Sequence, residues 1–190
     1  MTQNKFNPKN LERLNNPKRL EDIPPDKIIK RLEIEKADII ADIGAGTGFF
    51  SIAFYELLNP LSVYACDLSE VMVQWIKENV SPKYPNIIPV KSEENILPLE
   101  NEIADLGFMI NLHHELDKPD LILKELSRIL KPGGKFFIVD WKKGAVTGGP
   151  PQKIRLLPEV VVNQAENCGF VKVSAFNDLS KHFFVAGEKV

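Results

Sequence analysis

Glycine and acidic residues are concentrated in one short segment, residues 42–48, which reads Asp-Ile-Gly-Ala-Gly-Thr-Gly. Its glycines allow a tight turn and leave no side chain to hold a ligand away from the backbone. The spacing differs from the G-x-G-x-x-G pattern of dinucleotide sites, because Phe49 stands where the last glycine would fall. The Gly-Lys-Ser/Thr ending of a phosphate-cradling loop is also absent. The segment therefore predicts a nucleoside-cofactor loop and disfavours a nicotinamide-dependent reductase.

Two aspartates support this interpretation of the loop. Asp42 immediately precedes the glycines, where a carboxylate is awkward for a pyrophosphate but suits an ammonium group and a sulfonium centre. Asp67 ends the second apolar segment of the chain, at a strand end where an acidic residue can accept both hydroxyls of a ribose. Its two carboxylate oxygens permit bidentate binding of that diol. We expect a cofactor that combines a nucleoside with a positively charged amino-acid part.

Adjacent histidines follow the fourth predicted strand and are candidates for proton transfer, because imidazole titrates near neutral pH. Neighbouring residues of an extended segment point to opposite sides, so at most one of the pair should face a substrate. We take His113 as the candidate general base and His114 as a substrate-lining candidate. The alternative for His113 is a local packing role. The opposed directions also argue against a shared metal site. We expect His182 to be structural, with lining of the pocket as the alternative.

The segment after the fifth predicted strand supplies further substrate-lining candidates. Trp141 could offer a flat apolar wall, and Arg155 could bind a substrate anion. Between them, residues 142–153 are rich in glycine and proline and long for a connection in a compact domain. Such loops are often lids or binding loops, although a plain surface excursion is an equal alternative.

Composition limits the classes of protein that fit this chain. Its 190 residues favour one domain, and 44% hydrophobic with 26% charged residues is typical of a globular protein. The formal net charge of −2 gives no electrostatic footprint for nucleic acid or an anionic membrane. No apolar stretch approaches the ~20 residues of a membrane span. The polar N-terminus lacks the apolar segment of a secretory signal, so we expect a cytoplasmic location.

Apolar, strand-like segments alternate with helical patterns from residue 37 onward. The predicted strands cover residues 37–43, 61–66, 86–91, 104–111 and 135–141. The predicted helices between and after them cover residues 47–58, 69–79, 119–130 and 158–168. This alternation predicts an α/β fold, in which an open parallel sheet carries helices on both faces. Segments 170–176 and 182–189 have no helix between them, so they should form an antiparallel hairpin at one sheet edge, while Pro89 places the third strand near an edge.

On these motifs, the chain resembles the class I S-adenosylmethionine-dependent methyltransferases. The glycine segment resembles the family's first motif, and residues 63–69 (VYACDLS) resemble its second. Residues 90–105, 110–119 and 123–141 resemble the adenine segment, the fourth-strand end and the Lys-Pro-Gly-Gly turn with its following strand. The resemblance implies a three-layer, Rossmann-like sheet of strand order 3-2-1-4-5-7-6 with strand 7 antiparallel. It implies S-adenosylmethionine as the cofactor.

The resemblance also implies which residues hold that cofactor. They would be Asp42, Gly44, Ala45, Gly46, Gly48, Asp67, Leu68, Ser92, Glu93 and Asn111. In one place the chain departs from the family pattern, since Ser92 stands where many relatives have an aspartate. Adenine could therefore be recognised by Ser92, by the Glu93 side chain or by the Glu93 backbone.

The sequence predicts a single methyltransferase domain over residues 1–190. Residues 1–33 would form an arm with helices, 37–141 the cofactor-binding core, 142–157 a loop, and 158–190 a helix and the hairpin. With no inserted domain, only the N-terminal arm and the 142–153 loop can shape a pocket, so we expect a small-molecule methyl acceptor and in-line methyl transfer. A non-catalytic module that binds the cofactor or its demethylated product and a methyltransferase acting on protein are the alternatives. The oligomeric state stays open.

Overall fold

A seven-stranded sheet forms the centre of the chain in a computed structural model that describes residues 11–144 and 148–190. Its strands are β1 (Ile39–Ile43), β2 (Ser62–Asp67), β3 (Ile87–Lys91), β4 (Ala104–Ile110), β5 (Leu130–Trp141), β6 (Phe170–Phe176) and β7 (His182–Lys189). They lie in the order β3-β2-β1-β4-β5-β7-β6. The first five are parallel, and β7 runs antiparallel to both of its neighbours. The predicted strand order and edge hairpin are therefore confirmed, and β3 with its proline lies at the other edge.

Helices cover both faces of this sheet. They are α1 (Leu11–Leu14), α2 (Lys18–Asp22), α3 (Pro25–Leu32), α4 (Phe49–Leu58), α5 (Glu70–Asn79), α6 (Pro119–Ile129) and α7 (Pro158–Asn167). Short 3₁₀ helices span His113–Glu115 and Gln152–Ile154. Residues of β1 alternate between two buried apolar clusters, with Ile40 in the cluster below α3 and α4, and Ala41 in the cluster below α6 and α7. The three-layer fold follows from this alternation.

Close packing against the sheet is clearest on its two central strands. The Phe54 ring of α4 contacts the rings of Phe108 and Phe137, with centroids 4.8 and 5.3 Å away. On the opposite face, a Cβ atom at Gly107 would lie 2.3 Å from Leu126 of α6, so glycine lets that helix approach the strand. These contacts fix the two helix layers on β4 and β5, whose carboxyl ends carry site residues.

Strand β5 begins five residues earlier than the predicted position 135, at Leu130. Leu130 pairs with Ala104, and the register shift before Leu106 accommodates the Lys-Pro-Gly-Gly segment within the strand. The segment therefore acts as an irregularity inside the strand and does not separate helix from strand. Of the predicted arm and loop, residues 1–10 and 145–147 lie outside the described part of the chain. Within that part, no helix has the length and apolar character needed to cross a bilayer.

Candidate active site

A cavity of about 720 Å³ opens at the carboxyl ends of the parallel strands. Loops after β1, β2, β3 and β4 line one part of it, which we call the cofactor half. The other part, which we call the acceptor half, is lined by the carboxyl end of β5, the start of β7, the 3₁₀ turn after β4 and the short helices α1 and α2. Parallel strands place their carboxyl ends at one sheet edge, which is where such folds bind ligands.

The glycine loop forms the floor of the cofactor half. Gly44 and Gly46 have φ angles of 76° and 57°, a region that side chains disfavour. A Cβ atom at Gly44 would lie 2.7 Å from Leu112, and one at Gly46 would lie 3.2 Å from Leu14. Glycine is therefore needed here for both the turn and the space above it.

Asp67 lines the part of this half where a ribose is expected to bind. One carboxylate oxygen accepts a hydrogen bond from the Gly46 amide at 2.7 Å, and the other accepts one from the Ser69 amide at 2.8 Å. Burial raises the pKa of Asp67, and the two amide hydrogen bonds oppose that rise. Each oxygen retains a lone pair after these bonds, so the carboxylate can still accept a pair of hydroxyls.

Asp42 lies under the loop instead of lining the cavity. Its carboxylate is 3% exposed and accepts a hydrogen bond of 2.6 Å from the Ser51 hydroxyl of α4. Burial raises its pKa to about 7. Strand alternation explains the position, because Asp42 shares a side of β1 with Ile40 and so points towards α4. Asp42 was expected to contact the cofactor directly, but the structure does not place it at the cavity. Asp42 instead ties the loop to the following helix. Gly48 begins that helix and also lies outside the cavity lining.

The other expected cofactor residues, Ala45, Leu68, Ser92, Glu93 and Asn111, line the cavity. The Glu93 amide donates to the Ile96 carbonyl at 3.1 Å. This bond engages only the N–H, whereas the exocyclic amine of adenine needs an acceptor, so Ser92, the Glu93 side chain and the Glu93 backbone all remain candidates for adenine. Asn111 has a φ of 57°, and its buried Oδ1 has no hydrogen-bond partner among the described residues. An unpaired amide oxygen at this wall suits a ligand ammonium group, so the residues present fit the amino-acid and nucleoside parts of S-adenosylmethionine.

In the acceptor half, His114 and Asp140 form a buried pair. His114 Nδ1 lies 2.7 Å from Asp140 Oδ1, and both side chains are at most 4% exposed. Asp140 also accepts hydrogen bonds from the His114 and Trp141 amides at 2.9 and 2.7 Å. An ionised carboxylate only accepts, so a neutral His114 ring facing ionised Asp140 would carry its proton on Nδ1 and keep a lone pair on Nε2, and this ring lines the cavity.

The choice of His113 as the residue facing the acceptor is wrong. His113 is 1% exposed and lies outside the cavity lining, with Nε2 placed 2.8 Å from Gln164 Oε1 of α7. Burial lowers its pKa. The two histidines stand on a 3₁₀ turn and not on an extended segment, but they still point in different directions. His113 therefore anchors the turn against α7, while His114 faces the cavity.

Trp141 lines the acceptor half as expected, whereas Arg155 does not. The Arg155 guanidinium is buried and donates to the carbonyls of Lys142, Gly148 and Pro150. It therefore binds the backbone of its own loop, and its expected role towards a substrate anion is corrected.

Two further contributors line this half. His182 was expected to be structural, with lining of the pocket as the alternative, and it lines the cavity beside Trp141, its register partner across β5 and β7. The short helices of the arm, which was expected to help shape a pocket, also line it, through Leu14, Arg19 and Asp22 among others. Asp22 pairs with Lys181 at 2.8 Å, and the Arg19 guanidinium lies over the Phe50 ring at 4.7 Å. The antiparallel hairpin was a usable signal for His182, because it brings the start of β7 to the carboxyl end of β5.

Comparison with known proteins agrees with this geometry. The methyltransferase-domain family matches residues 41–138. The crystal structure of a SAM-dependent methyltransferase from Aquifex aeolicus is similar over 98% of this chain and 100% of that one, with 32% identity and a TM-score of 0.90.

Among curated proteins, malonyl-[acyl-carrier protein] O-methyltransferase of Marinomonas sp. is 33% identical over 57% of this chain and 40% of that protein. The ubiquinone/menaquinone biosynthesis C-methyltransferase UbiE of Pasteurella multocida is 27% identical over 74% of this chain and 56% of its own. The chain thus spans about half the length of these curated relatives. With the family match, the strand order and the cofactor half in agreement, the chain belongs to the class I S-adenosylmethionine-dependent methyltransferases.

Proposed function

We propose that the protein transfers a methyl group from S-adenosylmethionine to a small molecule held in the acceptor half. One observation carries this proposal: the cofactor half and the acceptor half are parts of one continuous cavity. A ligand on the glycine loop and a second ligand beside His114 would share that space. Proximity of this kind can supply ~7–11 kcal/mol of a reaction barrier.

The chain's own residues divide the work of holding the cofactor. Asp67 would bind the ribose hydroxyls, the loop backbone would support the amino-acid part, and Asn111 Oδ1 would accept from its ammonium group. Ser92, the Glu93 side chain or the Glu93 backbone would contact adenine. When bound, S-adenosylmethionine supplies an electrophilic methyl group on a positively charged sulfur, which a nucleophile on the acceptor displaces.

His114 would act as the general base for an acceptor whose nucleophilic atom carries a proton. Asp140 holds the imidazole by its Nδ1 proton, so the Nε2 lone pair is available to remove the acceptor's proton. The resulting imidazolium would be stabilised by Asp140 and by Glu115, whose Oε1 lies 3.7 Å from Nε2. Such positioned proton transfer contributes typically ~10²–10⁴-fold to a rate.

A small acceptor fits the site better than a protein chain or a purely binding role. The arm lies over the glycine loop, since Leu14 is the nearest side chain above Gly46, and it narrows access to the cavity. A module that only bound the cofactor would need no buried histidine–carboxylate pair in its acceptor half.

Turnover tests this proposal. The protein is incubated with S-adenosylmethionine and three acceptor sets: acidic thioesters, hydroxylated aromatic rings and primary amines. We expect acceptor-dependent release of S-adenosylhomocysteine from one set, measured by mass spectrometry, and none from Gly46→Val. Cofactor binding without release from any set would favour a binding module, and methylation confined to added polypeptides would favour a protein acceptor.

A further inference from the structure

His182 is a buried imidazole with no hydrogen bond to the rest of the described chain. Its side chain is 1% exposed, and neither Nδ1 nor Nε2 has a partner there. Buried polar groups are almost always paired, because leaving one unpaired costs the free energy of its lost hydration. The unpaired nitrogens of His182 therefore call for an explanation. The residue lies in the wall of the acceptor half.

The ring of His182 lies against an aromatic side chain in that wall. Its centroid lies 4.3 Å from the Trp141 ring, with 48° between the ring planes. The lining of the cavity as a whole is mixed: it includes charged side chains such as Arg19 and Glu115, and the aliphatic side chains Leu14, Ile23, Leu112, Leu116 and Ile122. Together the aromatic and aliphatic side chains suit a flat apolar body, and the imidazole supplies a polar contact.

Charge narrows the kind of group that His182 can contact. Burial lowers its pKa to about 4, so the ring is neutral near pH 7. Charges of both signs lie near the ring: the carboxylates of Asp140 and Asp22, the Lys181 ammonium, which is paired with Asp22, and the Arg19 guanidinium. A neutral imidazole has one donor and one acceptor nitrogen. A hydroxyl group can satisfy either one, because it both donates and accepts.

We infer that His182 recognises the methyl acceptor through a hydroxyl group, and that this acceptor has a flat apolar ring lying beside Trp141. His182 is then a specificity residue, distinct from the base His114. This inference rests on the proposed function, since it names the acceptor class for the same cavity.

The test is a binding measurement that needs no turnover. Protein saturated with S-adenosylhomocysteine is titrated calorimetrically with 2-naphthol and with 2-methoxynaphthalene, which has the same ring but no hydroxyl donor. We expect the wild type to bind 2-naphthol about tenfold more tightly, the ratio expected for one hydrogen bond. In His182→Phe this preference should disappear while 2-methoxynaphthalene still binds, and His182→Gln, which keeps a donor and an acceptor, should restore part of it.

Equal wild-type affinities for the two probes, or a preference that survives in His182→Phe, would overturn the inference. Absence of binding by both probes to the wild type would overturn the ring-shaped class. Thermal melting and S-adenosylhomocysteine affinity of each variant check that the fold and the cofactor half are intact. If the proposed function fails instead, the acceptor sets yield no S-adenosylhomocysteine while the naphthol preference stands, so the two failures are distinguishable.

Discussion

The two halves of the cavity are built differently. Each ligand-facing group of the cofactor half lies at or just after the end of its own strand, as Gly46, Asp67 and Asn111 do after β1, β2 and β4. The acceptor half brings together Asp140 and His182, from the end of one strand and the start of its antiparallel neighbour, with helices from the beginning of the chain. The cofactor half is made of strand ends, so its position follows from the fold. The acceptor half depends on packing between segments that are distant in the sequence.

The largest effect is expected from closing the cofactor half. Gly46→Val should abolish cofactor binding, because the side chain would occupy the cavity floor at a φ of 57° and contact Leu14. Calorimetric titration with S-adenosylhomocysteine measures the loss. Gly133→Val is the matched control, since Gly133 also has a positive φ of 75° but no atom lies within 4 Å of its Cβ position. Equal losses in both variants would attribute the effect to backbone strain.

Breaking the histidine–carboxylate pair should affect only the acceptor half. Asp140→Asn removes the group that fixes the His114 tautomer, and we expect kcat to fall ~10²–10⁴-fold. Affinity for S-adenosylhomocysteine should stay unchanged, as measured by calorimetry, because Asp140 lies outside the cofactor half. The exposed Asp26 of α3 provides the control Asp26→Asn. A comparable loss of cofactor affinity in Asp140→Asn would show that the two halves are not separable.

A smaller effect is expected at the ribose position. Asp67→Ala should weaken S-adenosylhomocysteine binding by ~1–3 kcal/mol, the value of hydrogen bonds to a charged group. The measured affinity change reports two losses together, because Asp67 also accepts from the Gly46 amide and so shapes the loop. Asp67→Asn, which keeps hydrogen-bonding oxygen but no charge, separates the two contributions. Unchanged affinity in Asp67→Ala would remove this residue from the cofactor half.

The pH dependence of stability tests the buried position of Asp42. Its pKa of about 7 in the folded chain lies above the 3.8 of an ordinary aspartate, which applies on unfolding, so the folded state retains a proton over that interval. Stability should therefore fall as pH rises from about 4 to about 7, by at most ~1.4 kcal/mol per pH unit. Asp42→Asn has no carboxyl proton to lose, so it lacks this contribution to the pH dependence of stability. Urea unfolding gives the free energy of unfolding of wild type and variant at each pH. Subtracting the two removes the opposite pH dependence that His182 contributes to both. A difference that does not change with pH would contradict the raised pKa of Asp42.

The sequence allowed the fold and most of the cofactor half to be predicted, because both depend on local patterns. Alternating strands and helices, the glycine spacing and an acidic strand end are readable within short segments. Asp42 does not line the cavity for a simple reason: the alternation of side chains along the strand turns it towards Ser51.

The acceptor half resisted prediction because its residues are selected by packing. A 3₁₀ turn, and not an extended segment, decided that His114 and not His113 faces the cavity. Arg155 binds carbonyl groups of its own loop, a use that residue type alone does not reveal. The predicted hairpin was a signal for His182, but its place beside Trp141 follows only from the register of β5 and β7.

The central claim is that the cofactor's reactive end points from one half of the cavity into the other. A crystal structure with S-adenosylhomocysteine bound tests it directly. We predict the ribose hydroxyls on the Asp67 carboxylate and the sulfur atom turned towards His114, Trp141 and His182. A nucleoside bound elsewhere, or a sulfur atom that faces away from the acceptor half, would contradict the claim.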